Sequence, residues 1–316
     1  MQIGSDTHAY TWHDHFARVP AALAGKGNGR THGICVARDG RLIVFAQCRD
    51  GILHFDADGR PIAQFGGDHW TTAHGLTYLA NDDGEFLWLT DEADGGRVEK
   101  VTLEGKTVRS IPAIRQAPPD SSATAYKPTW ACENPATGEA WVADGYGSSL
   151  VHRVDADGQV TLTLTGEEGA GRFSCPHGIA FDTRGGKDPE LYITDRGNGR
   201  IVVYSAAGAY QRTINHDAMQ APCMFDFQGD LMLVPDLHAS LCIYDANDEI
   251  IAADLGVNRE AVDWKGAYPN YNITDQAHMI QPGKFNSPHG ACFGPDGSLY
   301  VAEWILGGRV TKLAPA

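Results

Sequence analysis

No stretch of this 316-residue chain is long and apolar enough to span a bilayer as a helix. The amino terminus, MQIGSDTHAYTWHDHF, has no basic segment followed by an apolar one. These two absences argue against a membrane span and against secretion, so the expected compartment is the cytoplasm. Basic residues are few: 25 Lys and Arg stand against 40 Asp and Glu, a formal net charge of -15. Nucleic acid and anionic lipid both repel such a surface, and neither is expected as a partner. The seven cysteines, Cys35, Cys48, Cys132, Cys175, Cys223, Cys242 and Cys292, include no CxxC pair. An odd, scattered set points to reduced thiols rather than a disulfide framework. Helix-period stretches are also scarce.

Glycine is plentiful at 37 residues, and much of it stands in Asp-Gly turns such as Asp39-Gly40, Asp58-Gly59, Asp157-Gly158 and Asp296-Gly297. Turns of this kind join short antiparallel strands. The segment CPHGIAFDTRGGKDPELYITDRGNGRIVVYS, Cys175 to Ser205, reads as Pro-His-Gly, a strand, a turn, a second strand ending in Asp195, a Gly-Asn-Gly turn and a third strand. Near copies begin at Thr31, Ala73 and Ser287. Two weaker copies place Thr129 and Cys223 where the others have histidine. The anchors are therefore His32, His74, Thr129, His177, Cys223 and His289, spaced by 42 to 66 residues. A period of about 40 to 50 residues with several short strands per repeat is the pattern of propeller blades. The sequence predicts an all-β, six-bladed β-propeller, with residues 1–316 as a single domain. Residues 1–30 should close the last blade or cap the channel mouth, because an unpaired strand edge exposes its backbone polar groups.

Second-strand ends fall on Gln47, Asp91, Asp144, Asp195, Asp236 and Glu303, and carboxylates there are expected to accept hydrogen bonds from nearby turns. Longer insertions at Ile111–Tyr126 and Leu255–Asn286 are expected to form a binding rim.

Equivalent positions in a ring converge on its axis, so His32, His74, His177 and His289 should face the channel. His74, His177 and His289 come from alternate blades and can supply three imidazoles with one coordination position left open. A bland alternative is that each histidine only bonds a neighbouring turn. The metal reading places zinc first, with iron or another divalent ion behind it.

The ordered motifs AHG, PTWA, WVADGYGSS, PHGIAF, YITDRGNGRI and PHGACF resemble NHL repeats, and their order resembles the peptidyl-α-hydroxyglycine α-amidating lyase family. The resemblance covers roughly residues 30–312. It implies zinc held by His74, His177 and His289, Tyr146 as catalytic base and Arg196 as a substrate-facing residue. Tyr146 can instead be a rim aromatic packed on the 111–126 insertion, and Arg196 can instead pair with Asp144 or Asp195. Three departures bear on function. Gln47 stands where that family has arginine, with Arg49 two residues on. His289 is followed by Gly290 and not by the aspartate of a calcium site, which speaks against calcium. His32 is an added histidine, placed to bind substrate or a fourth metal position.

The expected function is that of a metal-dependent lyase acting on a small molecule with a hydroxyl beside a carbonyl or amide. A hydrolase or lactonase using the same metal is the enzymatic alternative. A non-enzymatic propeller serving as a protein-binding platform is the other. Nothing in the sequence bears on oligomeric state.

Overall fold

The computed structural model describes residues 1–5, 8–24, 29–93, 95–115, 125–258 and 280–316. Most of the loop Gly25–Gly29 and the centres of both long insertions, 116–124 and 259–279, lie outside the described residues, and with them much of the expected rim.

In chain order the strands are β1 (Gln2–Ile3), β2 (Tyr10–Ala17), β3 (Thr31–Val36), β4 (Leu42–Ala46), β5 (Ile52–Phe55) and β6 (Pro61–Phe65). Then come β7 (Ala73–Asn81), β8 (Gly84–Asp91), β9 (Arg97–Thr102), β10 (Thr107–Ile111), β11 (Trp130–Glu133), β12 (Ala140–Asp144), β13 (Leu150–Val154) and β14 (Val160–Leu164). The next are β15 (Pro176–Asp182), β16 (Glu190–Asp195), β17 (Arg200–Ser205) and β18 (Tyr210–Ile214). The chain ends with β19 (Asp226–Gln228), β20 (Leu231–Asp236), β21 (Ser240–Tyr244), β22 (Ile250–Leu255), β23 (Pro288–Phe293), β24 (Leu299–Glu303) and β25 (Arg309–Pro315). They form six antiparallel sheets in simple up-and-down order, five of four strands and one of five. This is the six-bladed β-propeller that the repeats predict.

The blades group into two compact units. Residues 1–71 with 225–316 form one, and residues 72–224 the other. In the first, β2 pairs with β25 and β1 with β2, so the amino-terminal segment supplies the outer strands of the last blade. Its core joins Ile34, Leu42, Val44 and Phe55 to Cys292, Ala302 and Val310. In the second, Trp130, Trp141, Val151, Ile179, Ile193 and Val202 pack together. Burial follows the sequence pattern: β12, AWVAD, and β24, LYVAE, are buried at every position, as inner strands covered on both faces should be. β6, PIAQF, is mostly open on its outer edge. All seven cysteines are free thiols; six are buried and Cys175 is partly accessible.

The strand-end carboxylates bind back to the entering chain. Asp91 accepts from the Thr72 amide, Asp144 from Lys127, Asp195 from Ser174 and Glu303 from Asn286. Each therefore fixes the chain just before a blade's anchor, which sets where that anchor can sit.

Candidate active site

The sequence reading places each anchor ahead of its first strand, whereas the structure puts the histidines inside the strand at a break in pairing. In β7 the register with β8 shifts between Ala73 and Leu76, and in β15 the register with β16 shifts between Pro176 and Ile179. His74-Gly75 and His177-Gly178 are the residues left out of the ladder. A bulge of this kind releases a side chain from strict alternation and re-aims it.

The glycine after each histidine has a steric cause. A Cβ on Gly75 would lie 2.5 Å from the Thr129 carbonyl oxygen, and one on Gly178 would lie 2.3 Å from that of Cys223. Those same carbonyls hold the rings: Nδ1 of His74 is 2.7 Å from Thr129 O, and Nδ1 of His177 is 2.7 Å from Cys223 O. A carbonyl can only accept, so Nδ1 carries the proton in both, and in the neutral form of each ring Nε2 is an acceptor. His74 is held neutral because burial lowers its pKa from 6.5 to about 3, with Arg196 adding to the effect against the Thr129 bond.

The two Nε2 atoms are 3.3 Å apart. Tyr146 Oη lies 3.1 Å from Nε2 of His74 and 3.3 Å from Nε2 of His177. The turn bearing Tyr146 is pinned by Asp144, which accepts from the amide and hydroxyl of Ser148. Although 36% of Tyr146 is accessible, its hydroxyl sits between two imidazoles that are 1% and 0% exposed. The phenolic proton faces two acceptor nitrogens. Three atoms able to donate to a metal converge here. Two imidazole nitrogens with an oxygen beside them fit a borderline divalent cation such as zinc or iron.

Arg196 is 5% exposed, and its guanidinium carbon lies 5.1 Å from the Tyr146 ring centre. Of the carboxylate partners considered for it, Asp195 is instead bound to Arg200 at 2.7 Å, and Asp144 accepts from Lys127 and Ser148. Burial raises the Tyr146 pKa, and the Arg196 charge acts against that rise.

Two functional residues escaped the sequence reading. Thr90 Oγ1 donates to Thr129 O at 2.8 Å and accepts from the Gly75 amide. Thr194 Oγ1 approaches Cys223 O at 3.3 Å and accepts from the Gly178 amide. Each therefore holds a carbonyl that orients an imidazole. The signal was present: among the second-strand ends, only blades two and four read Thr-Asp, and these blades carry His74 and His177. Thr129, one of the two anchors without a ring, also reaches the His177 backbone, with Oγ1 2.9 Å from its carbonyl oxygen.

Of the predicted site residues, Tyr146, Arg196, His74 and His177 come together in residues 72–224. His32 and His289 come together in the other unit, ring centroids 4.6 Å apart and edge-on. His32 lies 6.0 Å from the Trp304 ring, over which Arg30 stacks at 4.9 Å.

The family model described as NHL repeat matches residues 173–204, which run through β15, β16 and most of β17. The chain is 27% identical over 252 residues to peptidyl-glycine alpha-amidating monooxygenase B of Xenopus laevis. It is 30% identical over 265 residues to peptidylglycine alpha-amidating monooxygenase of Rattus norvegicus. These alignments cover 77% and 80% of this chain but 26% and 25% of the relatives, so the chain spans about a quarter of their length. Among solved structures it is similar to a streptogramin B lyase, with TM-score 0.62 and 18% identity over 97% of this chain and 98% of that one. It is also similar to a catalytically inactive virginiamycin B lyase from Staphylococcus aureus with quinupristin, with TM-score 0.60 and 14% identity over 96% and 99% of the two chains. At these identities the structural likeness establishes the propeller fold. Among the described residues, no helix is long and apolar enough to cross a membrane.

Proposed function

We propose that this chain is a metal-dependent lyase for a small molecule carrying a hydroxyl next to an amide nitrogen, with Tyr146 as the proton-transferring group. The observation that carries the reading is the Tyr146 hydroxyl lodged between the proton-accepting Nε2 atoms of His74 and His177. Both rings are turned to that point by carbonyls, with Thr90 and Thr194 behind them. A divalent cation held by His74 and His177, and by His289 as the resemblance assigns, would supply positive charge that polarises a substrate oxygen and favours the phenolate. Zinc leads by donor chemistry, with iron next.

The chain's own residues account for the proton movements. Tyr146 Oη takes the proton of the substrate hydroxyl as that carbon–oxygen bond becomes a carbonyl and the carbon–nitrogen bond breaks. The same oxygen returns the proton to the departing amide nitrogen, so the products are a carbonyl compound and an amide. Arg196, stacked on the ring, offsets the negative charge that Tyr146 carries before it takes the proton and after it returns it. The similar proteins are alpha-amidating monooxygenases and streptogramin or virginiamycin B lyases, and the lyase names support a lyase reading.

The test is elemental analysis of the purified protein before and after chelation, followed by incubation with an N-acyl-α-hydroxyglycine. Release of glyoxylate and the amide, lost on chelation, supports the proposal. Stoichiometric metal with water-dependent cleavage of a lactone or ester would replace the lyase by a hydrolase. No metal and no turnover would leave the protein-binding platform.

A further inference from the structure

The residue before the Pro176-His177 pair, Cys175, sits at φ +58°. A non-glycine residue is disfavoured there. Glycine or asparagine would suit the turn better. Cysteine instead makes contacts that join the turns of the candidate site. Its amide approaches Ser149 Oγ at 3.3 Å, in the loop that carries Tyr146. Its carbonyl accepts the Arg196 amide at 3.2 Å, and its Sγ accepts from Arg196 Nη2 at 3.3 Å. One residue thus touches the Tyr146 loop, holds Arg196 by both main chain and guanidinium, and leads in two steps to His177.

We propose that Cys175 is a positioning residue for the Arg196 guanidinium, its sulfur holding that cation over the Tyr146 ring. This rests on the functional reading only for its effect on turnover; the placement of Arg196 is testable without it. Sulfur suits the role because a large, polarisable acceptor reaches a guanidinium at a distance where a hydroxyl makes a weaker contact from the same Cβ. An observed departure from favoured backbone geometry beside a candidate site is the usual sign that a side chain is being aimed.

The experiment uses the full chain and three variants. Cys175→Gly removes the sulfur and relieves the backbone, so it should fold with an unchanged or higher melting temperature. Cys175→Ser keeps a shorter acceptor, and Arg196→Ala identifies the signal. The first readout is the Nε–H resonance of Arg196 in nitrogen-edited spectra. It should be sharp in the parent, shifted but present in Cys175→Ser, and broadened or lost in Cys175→Gly. The second is turnover of an N-acyl-α-hydroxyglycine, where Cys175→Gly should lose roughly tenfold in kcat/KM in the parent and nothing in the Arg196→Ala background. An Arg196 resonance unchanged in Cys175→Gly overturns the proposal whatever the activity. Absence of turnover in the parent, with the resonance lost in Cys175→Gly, overturns the lyase reading and leaves the positioning role standing.

Discussion

The two histidine pairs share one motif and differ in the residues behind them. His74 and His177 each give Nδ1 to a carbonyl, and each carbonyl is backed by a threonine hydroxyl, so their Nε2 atoms face one another at 3.3 Å with a tyrosine between them. His32 and His289 meet edge-on beside Trp304, and the residues at the Thr90 and Thr194 positions in their blades are Ala46 and Ala302. An alanine has no hydroxyl with which to hold a neighbouring carbonyl. In blades two and four the second strand therefore places a hydroxyl behind the carbonyl that orients the ring, and in blades one and six it places none.

The sharpest way to break this comparison is to delete one ring from each pair. His177→Ala should abolish stoichiometric metal binding, and His32→Ala should retain it, both read by elemental analysis of folded protein. Equal loss in both would mean that the two pairs do one job and that the threonine support is incidental.

Next in size is the hydroxyl between His74 and His177. Tyr146→Phe keeps the ring and removes only the ionisable group, so turnover should fall by at least about a hundredfold, the usual scale of a general base. Metal content and melting temperature should stay nearly constant. A fully active Phe variant would move the base elsewhere, with His32 the next residue to test.

The supports themselves should matter less than the groups they aim. Thr90→Val and Thr194→Val keep the shape and delete the hydroxyl, and each should weaken metal affinity by about ten- to a hundredfold, as loss of an orienting partner does. Competition with a chromophoric chelator reads this directly. Unchanged affinity in both variants would remove the physical basis for distinguishing the two pairs.

The smallest effect concerns a buried ring outside either pair. His152, on β13, is fully buried with Nδ1 3.0 Å from Thr163 Oγ1, and burial lowers its pKa from 6.5 to about 4. Between those values the unfolded chain binds a proton that the native state does not. Its contribution to stability is therefore complete above about pH 6.5 and is lost as pH falls toward 4, on the order of 3 kcal/mol in all. Thermal melts across this range should show a shallower acid dependence in His152→Gln than in the parent. An identical slope would assign the acid sensitivity to other groups.

Spacing and composition alone determined the six blades, their all-β character and the set of anchors. Strand period and Asp-Gly turns are local properties, and a repeat announces itself by recurrence. The identities of Tyr146 and Arg196 were legible through resemblance, and the Thr-Asp ends of blades two and four were visible but had no meaning until the carbonyls they hold were located. Tertiary structure decided the rest. Only the register break at His74-Gly75 and His177-Gly178 turns those rings out of strand alternation, and only the approach of Thr129 O and Cys223 O fixes which nitrogen is left to face Tyr146. A hydrogen bond between residues 46 or 55 positions apart depends on how neighbouring blades pack. A one-dimensional pattern names the residues but does not set the distance between them.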